Sequence, residues 1–204
     1  MGGGKYLGTA ADVTARRMKY ARTERERRYL LRELPDGLRV NDPHTQIFDN
    51  YITGTRLRLR KVRVPERREW TWKLTQKFAP AAGDFSRTVI ANIYLSQYEY
   101  EVLSVFEGNE IRKNRYPYEH GGRKFSVDVF LGPLRGLVLA ETEFDTDEEL
   151  DSFTAPAFAA REVTNDELFT GGRLVHMTSD EIRAELLRRG DIGAPPREAP
   201  AAHA

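Results

Sequence analysis

Cysteine is absent from the 204 residues of the chain. This absence excludes disulfides, thiolate metal sites and a cysteine nucleophile, and it fits a reducing compartment, so we expect a cytoplasmic protein. Net charge is also nearly absent, because 32 Lys and Arg residues are opposed by 31 Asp and Glu residues. The whole molecule therefore has no general attraction for nucleic acid, and any electrostatic function must come from local segregation of charge.

Long apolar runs are missing as well. No stretch approaches the roughly 20 apolar residues that cross a bilayer, and the first residues lack the apolar centre of a signal peptide. We therefore expect neither a membrane partner nor secretion. The histidines are scattered without metal-ligand spacing, and neither a phosphate loop nor a nucleophile elbow occurs.

The residues that are present suggest one domain with tails. The chain is 40% hydrophobic, which suffices for one sizeable core. We predict an N-terminal appendage over residues 1–22, a folded body over 23–176 and a C-terminal helix over 177–190. An Ala- and Pro-rich tail follows over 191–204, and its composition favours disorder.

Six segments alternate apolar and polar residues with the period of two that is typical of β-strands. They cover residues 55–64, 69–78, 87–95, 110–116, 123–130 and 137–144. Capping boxes predict four helix starts, at Ser96 with Glu99, Thr146 with Glu149, Thr164 with Glu167 and Thr178 with Glu181, and Gly190 is expected to end the last helix. Many strands with few short helices and no βαβ rhythm predict an α+β fold around an antiparallel sheet, either open or closed.

Several of these strands have a basic face. Alternation places the guanidinium groups of Arg56, Arg58 and Arg60 on one side of their strand. For one strand alone, a solvated face is the ordinary explanation. The pattern recurs, however, with Lys73, Thr75 and Lys77, with Lys113 and Arg115, and with Lys124, Ser126 and Asp128. A basic, polar face shared by several strands indicates an anionic ligand.

Two acidic pairs have the same spacing, Glu24 with Glu26 and Glu141 with Glu143. Like charges this close repel unless a cation lies between them, and hard divalent ions such as Mg²⁺ or Mn²⁺ prefer such oxygen ligands. If the sheet closes into a barrel, the acidic and basic faces meet in one lumen and the apolar faces pack outward under the helices. The pattern therefore suggests a metal together with a phosphate-type anion.

The segment Thr23-Glu24-Arg25-Glu26-Arg27-Arg28 resembles the ExExK signature that opens proteins of the CYTH, or triphosphate tunnel, family, with Arg28 in place of the usual lysine. Further matches follow in the family's order up to about residue 175. They are Arg58 with Arg60, Lys73, Lys113 to Tyr116, Val127 to Phe130, Glu141 to Phe144 and Glu162 to Thr164. The ordered set carries the resemblance, since ExExK alone is short and common.

This resemblance implies a closed antiparallel β-barrel forming a polar tunnel, with short helices packed outside. It implies metal-dependent hydrolysis of a triphosphate, either inorganic tripolyphosphate or a nucleoside or thiamine triphosphate. A homodimer is possible. The implied metal ligands for Mg²⁺ or Mn²⁺ are Glu24, Glu26, Glu141 and Glu143, and Asp128 joins them as a catalytic carboxylate. The implied phosphate ligands are Arg28, Arg58, Arg60, Lys73, Lys113 and Arg115, to which inferred inward strand parity adds Lys77 and Arg87.

Two departures from the family pattern bear on activity. Many members carry RxExE in the middle strand, whereas Val89 and Ala91 stand here where the carboxylates would be, so we expect a second, water-delivering metal to be poorly held. Arg173 stands near the place where some members have a lysine that helps to activate water, and a guanidinium is a poor base because it stays protonated.

Three alternatives follow from these departures and from the basic strands. A class IV-type adenylyl cyclase would use the same metal and phosphate contacts but needs a base pocket, for which no residues are identified. A non-catalytic polyphosphate or nucleotide binding module fits the loss of carboxylates. A nucleic-acid platform on Trp70, Trp72 and Tyr94 is disfavoured by the balanced charge and the acidic pairs.

Overall fold

Eight antiparallel strands close into a barrel in the computed structural model, which describes residues 21–191. The strands are β1 (Arg22–Leu31), β2 (Thr45–Ile52), β3 (Leu57–Val64), β4 (Glu69–Phe78), β5 (Arg87–Leu95), β6 (Gly108–His120), β7 (Arg123–Leu131) and β8 (Val138–Phe144), and a two-residue strand β9 (Arg161–Glu162) lies outside the ring. Around the barrel the order is β1-β5-β4-β3-β2-β6-β7-β8, and β8 returns to β1. The predicted α+β fold with a closed antiparallel barrel is confirmed.

Strand β1 lies where the barrel closes. One of its edges pairs with β8 along most of its length. The other edge is divided, since Arg22 to Arg25 pair with β5 while Tyr29 and Leu30 pair with β9. The acidic pair of β1 therefore lies in the barrel wall beside β5 and β8.

Alternation predicted most strands well. Strands β4 and β5 have the predicted bounds, and β6 extends beyond its predicted ends. Strand β2 was not predicted, because Ile47 and Phe48, and again Tyr51 and Ile52, are adjacent apolar or aromatic residues that blur the period of two. This strand carries a site residue that the sequence analysis missed.

Four helices connect or cover the strands, α1 (Gln97–Leu103), α2 (Asp147–Ser152), α3 (Gly171–Leu174) and α4 (Ser179–Arg189). Complete capping boxes start α1 at Ser96 and α4 at Thr178, and Gly190 ends α4 with φ of 75°. The hydroxyl of Thr146 caps α2. These three predicted starts are confirmed.

The fourth predicted start, at Thr164, was wrong. A short 3-10 helix, Glu167–Phe169, begins after Asp166, whose carboxylate accepts a hydrogen bond from the Leu168 amide. The Thr164 hydroxyl is instead used by the barrel, because it accepts a hydrogen bond from the Arg28 amide at 3.0 Å. A tertiary contact thus replaces the local cap.

The main apolar core fills one end of the barrel interior. It comprises Leu30, Ile111, Phe130, Leu134, Leu137 and Leu139 with Val163, Phe169, Leu174, Ile182 and Leu186 of the C-terminal segment. A second cluster, which includes Tyr29, Tyr116, Phe125 and Val127, packs on the outside of the barrel against Phe153 and Phe158. The expectation that all apolar faces pack outward is therefore corrected, because the C-terminal segment closes one end of the lumen with an apolar plug.

The predicted C-terminal helix is present as α4 and packs into this core through Ile182 and Leu186. The predicted appendage as far as residue 20, and the predicted tail from residue 192, lie outside the described residues. Within residues 21–191, no helix has the length and apolar character needed to cross a membrane.

Candidate active site in the barrel lumen

The polar end of the barrel interior is a cavity of about 490 Å³, which we call the tunnel cavity. Its volume falls within the roughly 300–1,000 Å³ typical of small-molecule sites. Basic side chains outnumber acidic ones in its wall. The basic ones are Arg22, Arg28, Arg56, Arg58, Arg60, Lys73, Lys77, Lys113 and Arg115, and the acidic ones are Glu24, Glu26, Asp49, Glu141 and Glu143. Closure of the barrel thus brings all but two of the predicted site residues, Arg87 and Asp128, into one wall.

Arg87 corrects the predicted parity of β5. Its neighbour Thr88 lines the tunnel cavity, so Arg87 points to the outside of the barrel. There its Nε donates to Asp147 Oδ1 at 2.7 Å, and its Nη2 donates to Asp151 Oδ1 at 2.7 Å. The inward assignment of Arg87 was wrong because a shift of one residue in register exchanges the two faces of a strand.

The same parity removes Val89 and Ala91 from the lumen. The inward residues of β5 are Thr88, Ile90, Asn92 and Tyr94. The argument from Val89 and Ala91 to a poorly held second metal was therefore misplaced. Strand β5 contributes a wall without charge.

Arg173 also lies away from the tunnel cavity. It lines an outer groove together with His176 and Glu181. It therefore cannot act on a ligand in the lumen.

Glu141 lies deep in the tunnel cavity and is held by two guanidinium groups. Arg28 Nε donates to its Oε1 at 2.9 Å, and Arg115 Nη2 donates to its Oε2 at 2.6 Å. Burial alone would raise the pKa of Glu141, but Arg115 and Arg28 hold this pKa well below its usual range. Both carboxylate oxygens are already engaged, so Glu141 is better suited to orient cations than to bind a metal.

Asp128 lies behind the cavity wall and is completely buried. Its carboxylate accepts hydrogen bonds from Lys113 Nζ at 2.5 Å and from Arg115 Nε at 2.7 Å. Asp128 thus sets the position of two lumen cations, and it does not itself reach the cavity.

Asp49 is the functional candidate that the sequence analysis missed. It is 2% exposed, and both of its oxygens accept hydrogen bonds from Arg60, at 2.5 and 2.6 Å. Burial would raise its pKa, but Arg58 and Arg60 lower it. The available signal was that Asp49 is the single charged residue of β2.

Two partly buried cations of the wall, Arg58 and Lys73, are not hydrogen-bonded to a carboxylate within the described residues. The Nε of Arg58 is buried without a hydrogen-bond partner among the described residues, and its nearest carboxylate oxygen, on Asp49, is 3.6 Å away. Lys73 makes no ion pair within residues 21–191. Burial, together with the nearby charges of Arg60 and Arg58, lowers the pKa of Lys73 to about 8. Both groups would gain from an anion in the cavity.

The other three glutamates lie close together at the β5–β1–β8 wall. Glu26 and Glu143 are directly paired across β1 and β8. Lys77 Nζ lies 3.1 Å from Glu24 and 3.0 Å from Glu26. Glu143 has no ion pair within the described residues, and burial together with the charge of Glu24 raises its pKa. Mutual repulsion of these carboxylates is therefore only partly relieved.

The carboxylate oxygens of these three glutamates are the type of ligand that a hard divalent cation prefers. No three carboxylates or histidines within residues 21–191 are gathered closely enough to form a ready metal site. A metal at Glu24, Glu26 and Glu143 would thus have to compete with Lys77 at two of them, and also with Arg22 at Glu24 and Arg28 at Glu26. Glu141 fits a metal less well, because both of its oxygens already accept hydrogen bonds from arginine.

No family model matches the chain, but two relatives do. Over 150 residues the chain is 31% identical to the inorganic triphosphatase of Nitrosomonas europaea, a match that covers 72% of this chain and 93% of the relative. Over 89 residues it is 37% identical to the inorganic triphosphatase of Acetivibrio thermocellus, covering 39% of this chain and 55% of the relative.

Two solved structures resemble the barrel. One is the crystal structure of an inorganic triphosphatase, which has a TM-score of 0.50 at 26% sequence identity over 74% of this chain and 93% of that chain. The other, of a hypothetical protein, has a TM-score of 0.51 at 26% identity over 76% of this chain and 99% of that chain.

Proposed function

Because this chain belongs to the CYTH, or triphosphate tunnel, family, we propose that its tunnel cavity hydrolyses inorganic tripolyphosphate with a divalent metal. Hydrolysis of a triphosphate is the activity of the enzyme. Inorganic tripolyphosphate is the specific substrate we infer, since both relatives are inorganic triphosphatases.

The observation that carries the proposal is the excess of lumen cations, since nine basic side chains face five carboxylates in the wall. Arg58 and Lys73 lie on neighbouring strands; Lys73 has no ion pair among the described residues, and the carboxylate of Asp49 lies 3.6 Å from Arg58 Nε, beyond hydrogen-bond length. A linear polyanion can contact several cations at once, whereas a single phosphate contacts few. An elongated phosphate ligand therefore matches this wall best.

For the metal we infer Glu24, Glu26 and Glu143 as ligands. Mg²⁺ or Mn²⁺ would draw on their oxygens, and binding would relieve the repulsion that raises the pKa of Glu143. When bound, such an ion supplies charge neutralisation and a water of lowered pKa.

The chain's own residues account for binding and charge stabilisation. Arg58, Arg60, Lys73, Lys113 and Arg115 would hold the phosphate oxygens, with Asp49, Asp128 and Glu141 fixing the directions of three of them, Arg60, Lys113 and Arg115. Water attacks the terminal phosphorus, and the bond between this phosphorus and the bridging oxygen breaks. Pyrophosphate is the leaving group, and the attacked phosphorus is released as orthophosphate. Preorganised cations stabilise the charge that develops on the leaving oxygen.

The test is a phosphate-release assay on the purified protein with Mg²⁺ and with Mn²⁺. Tripolyphosphate, ATP, thiamine triphosphate and pyrophosphate are compared as substrates. We expect metal-dependent release, fastest with tripolyphosphate. Faster release from ATP or thiamine triphosphate would transfer the substrate assignment to an organic triphosphate, and cyclic AMP formation from ATP would favour the cyclase.

A variant tests the metal ligands, and the wild type tests the binding-only alternative. Glu24→Gln with Glu26→Gln should abolish release while metal-free tripolyphosphate binding persists. Tight tripolyphosphate binding by the wild type without release under any metal would instead make the protein a binding module.

A further inference from the structure

The uncharged β5 wall of the tunnel cavity contains a polar atom without a partner. Asn92 is engaged, because its Oδ1 accepts a hydrogen bond from Thr75 Oγ1 at 2.7 Å. Thr88 is 4% exposed, and its Oγ1 is buried with no hydrogen-bond partner among the described residues. Native proteins rarely bury a hydroxyl unpaired, because this costs free energy. The position therefore calls for a hydrogen-bonding ligand.

The charged groups near Thr88 in the sheet are already committed to each other. Thr88 is paired with Glu24 across β5 and β1. The Glu24 carboxylate contacts Arg22 at 3.0 Å and Lys77 at 3.1 Å. The next inward residue of β5, Ile90, has no polar side-chain atom. Thr88 lines the tunnel cavity, so the contents of the cavity can supply the partner that its hydroxyl lacks.

We propose that the Thr88 hydroxyl is a substrate-binding group that donates a hydrogen bond to a phosphate oxygen of the triphosphate. The inference rests on the proposed function and adds a residue to it. A hydroxyl suits this place for an electrostatic reason. A further lysine or arginine here would add to Arg22 and Lys77, the cations with which a metal ion at Glu24 must already compete, and a carboxylate would repel the phosphate. A neutral donor binds the oxygen and leaves the local charge unchanged.

The test compares three variants in calorimetric titrations with tripolyphosphate in the absence of divalent metal, so that no turnover occurs. Thr88→Val removes the hydroxyl with little change of shape, and Thr88→Ser retains it. Thr75→Val is the matched control, because it removes a hydroxyl that has a partner in the same cavity.

Thr88→Val should weaken tripolyphosphate binding about three- to tenfold, and Thr88→Ser should stay within about twofold of the wild type. Thermal unfolding of the ligand-free protein supplies the second readout. Thr88→Val should unfold at the same temperature as the wild type or higher, because no protein hydrogen bond is lost. Thr75→Val should unfold at a lower temperature, because its bond to Asn92 is lost.

Equal affinity of Thr88→Val and wild type would overturn the assignment, since water would then satisfy the hydroxyl. A lower unfolding temperature with unchanged affinity would also overturn it and give Thr88 a structural role. If Thr88→Val does not fold, Thr88→Ala is judged against Thr88→Ser by the same affinity criterion. Failure of the wild type to bind tripolyphosphate would instead overturn the proposed function itself.

Discussion

At the scale of single residues, the four tunnel glutamates have different partners although they form two similar pairs in the chain. Glu141 is held by Arg28 and Arg115, whereas Glu143, two residues further along β8, has no ion pair within the described residues. Strand alternation places both carboxylates on the inward face. Glu26 also accepts a hydrogen bond from Arg28, at 2.8 Å, but only through its Oε1. Both oxygens of Glu141 accept from arginine, so we separate Glu141, as a structural glutamate, from the three metal candidates.

Glu141→Gln should destabilise the protein by about 2 kcal/mol at pH 7, because two enclosed arginines lose their shared charged hydrogen-bond partner, while Arg28 keeps Glu26 and Arg115 keeps Asp128. The pKa of Glu141 is lowered in the folded protein, so its stabilisation is complete above the ordinary glutamate pKa of about 4.3. This stabilisation is lost as pH falls towards the folded pKa. Urea unfolding at several pH values measures the difference.

Glu143→Gln is the matched comparison on the same strand. Its raised pKa means that ionisation is disfavoured in the fold, so the variant should be no less stable than the wild type without metal. Its affinity for Mn²⁺ should fall. Equal destabilisation by both substitutions would contradict the division into structural and metal-binding glutamates.

Lys73 should make tripolyphosphate binding depend on pH. Its pKa of about 8 means that the cation is progressively lost above this pH, while a bound polyanion favours the protonated form. Affinity should therefore fall by up to about tenfold between pH 7 and pH 9, with proton uptake on binding. Calorimetry in two buffers of different ionisation enthalpy measures this uptake.

Lys73→Arg provides the control, because arginine remains charged throughout this range. The variant reports any titration of tripolyphosphate itself. The same pH dependence in Lys73→Arg and wild type would assign the effect to groups other than Lys73.

At the scale of elements, the β1–β5 junction brings two like charges together. Arg25 and Arg87 are directly paired across the strands, an arrangement that is repulsive by itself. Asp147, the first residue of α2, accepts hydrogen bonds from Arg25 at 3.0 Å and Arg87 at 2.7 Å. Helix α2 thus stabilises the β1–β5 junction from the outside of the barrel.

Asp147→Asn should loosen this junction, because the two arginines lose the carboxylate that they share and only Arg87 keeps another, Asp151. We expect a lower thermal unfolding midpoint, with a larger decrease at low salt, where screening is weak. Hydrogen exchange should accelerate in β1 and β5 more than in β6 and β7. Asp145→Asn, which removes a nearby carboxylate without an ion pair in the described part of the chain, should leave exchange unchanged. Uniform acceleration over all strands would contradict a local role.

At the scale of the whole molecule, the barrel concentrates positive charge that composition conceals. The chain has a net charge of +1, yet the wall of the tunnel cavity is predominantly basic. Opposing carboxylates elsewhere in the protein balance the total. The attraction for an anion is therefore confined to one enclosed site.

Arg58→Met should weaken tripolyphosphate binding about tenfold or more, because a charge-assisted contact is lost while the aliphatic stem is largely kept. Orthophosphate should lose less, since it can occupy other cations of the wall. Arg112→Met, on the outward face of β6, is the control and should leave both affinities unchanged. Equal losses for tripolyphosphate and orthophosphate would argue against an extended phosphate path.

The sequence by itself determined most of the strands, β2 excepted, and the direction of the charged residues on most of those. Lys73, Thr75 and Lys77 share a face in any β-strand, because side-chain direction follows a local period of two. The segment from Thr23 to Arg28 and the later matches were sufficient to indicate the family and the barrel.

Only the tertiary structure decided the parity of β5, the role of Asp49 and the partners of each glutamate. Arg87 points outward because the register between β1 and β5 sets which residues face the lumen, and this register depends on barrel closure between distant segments. Glu141 and Glu143 differ because Arg28 of β1 and Arg115 of β6 reach Glu141, whereas Glu143 lies opposite Glu26. Such differences arise from contacts between strands far apart in the chain, which local periodicity does not encode.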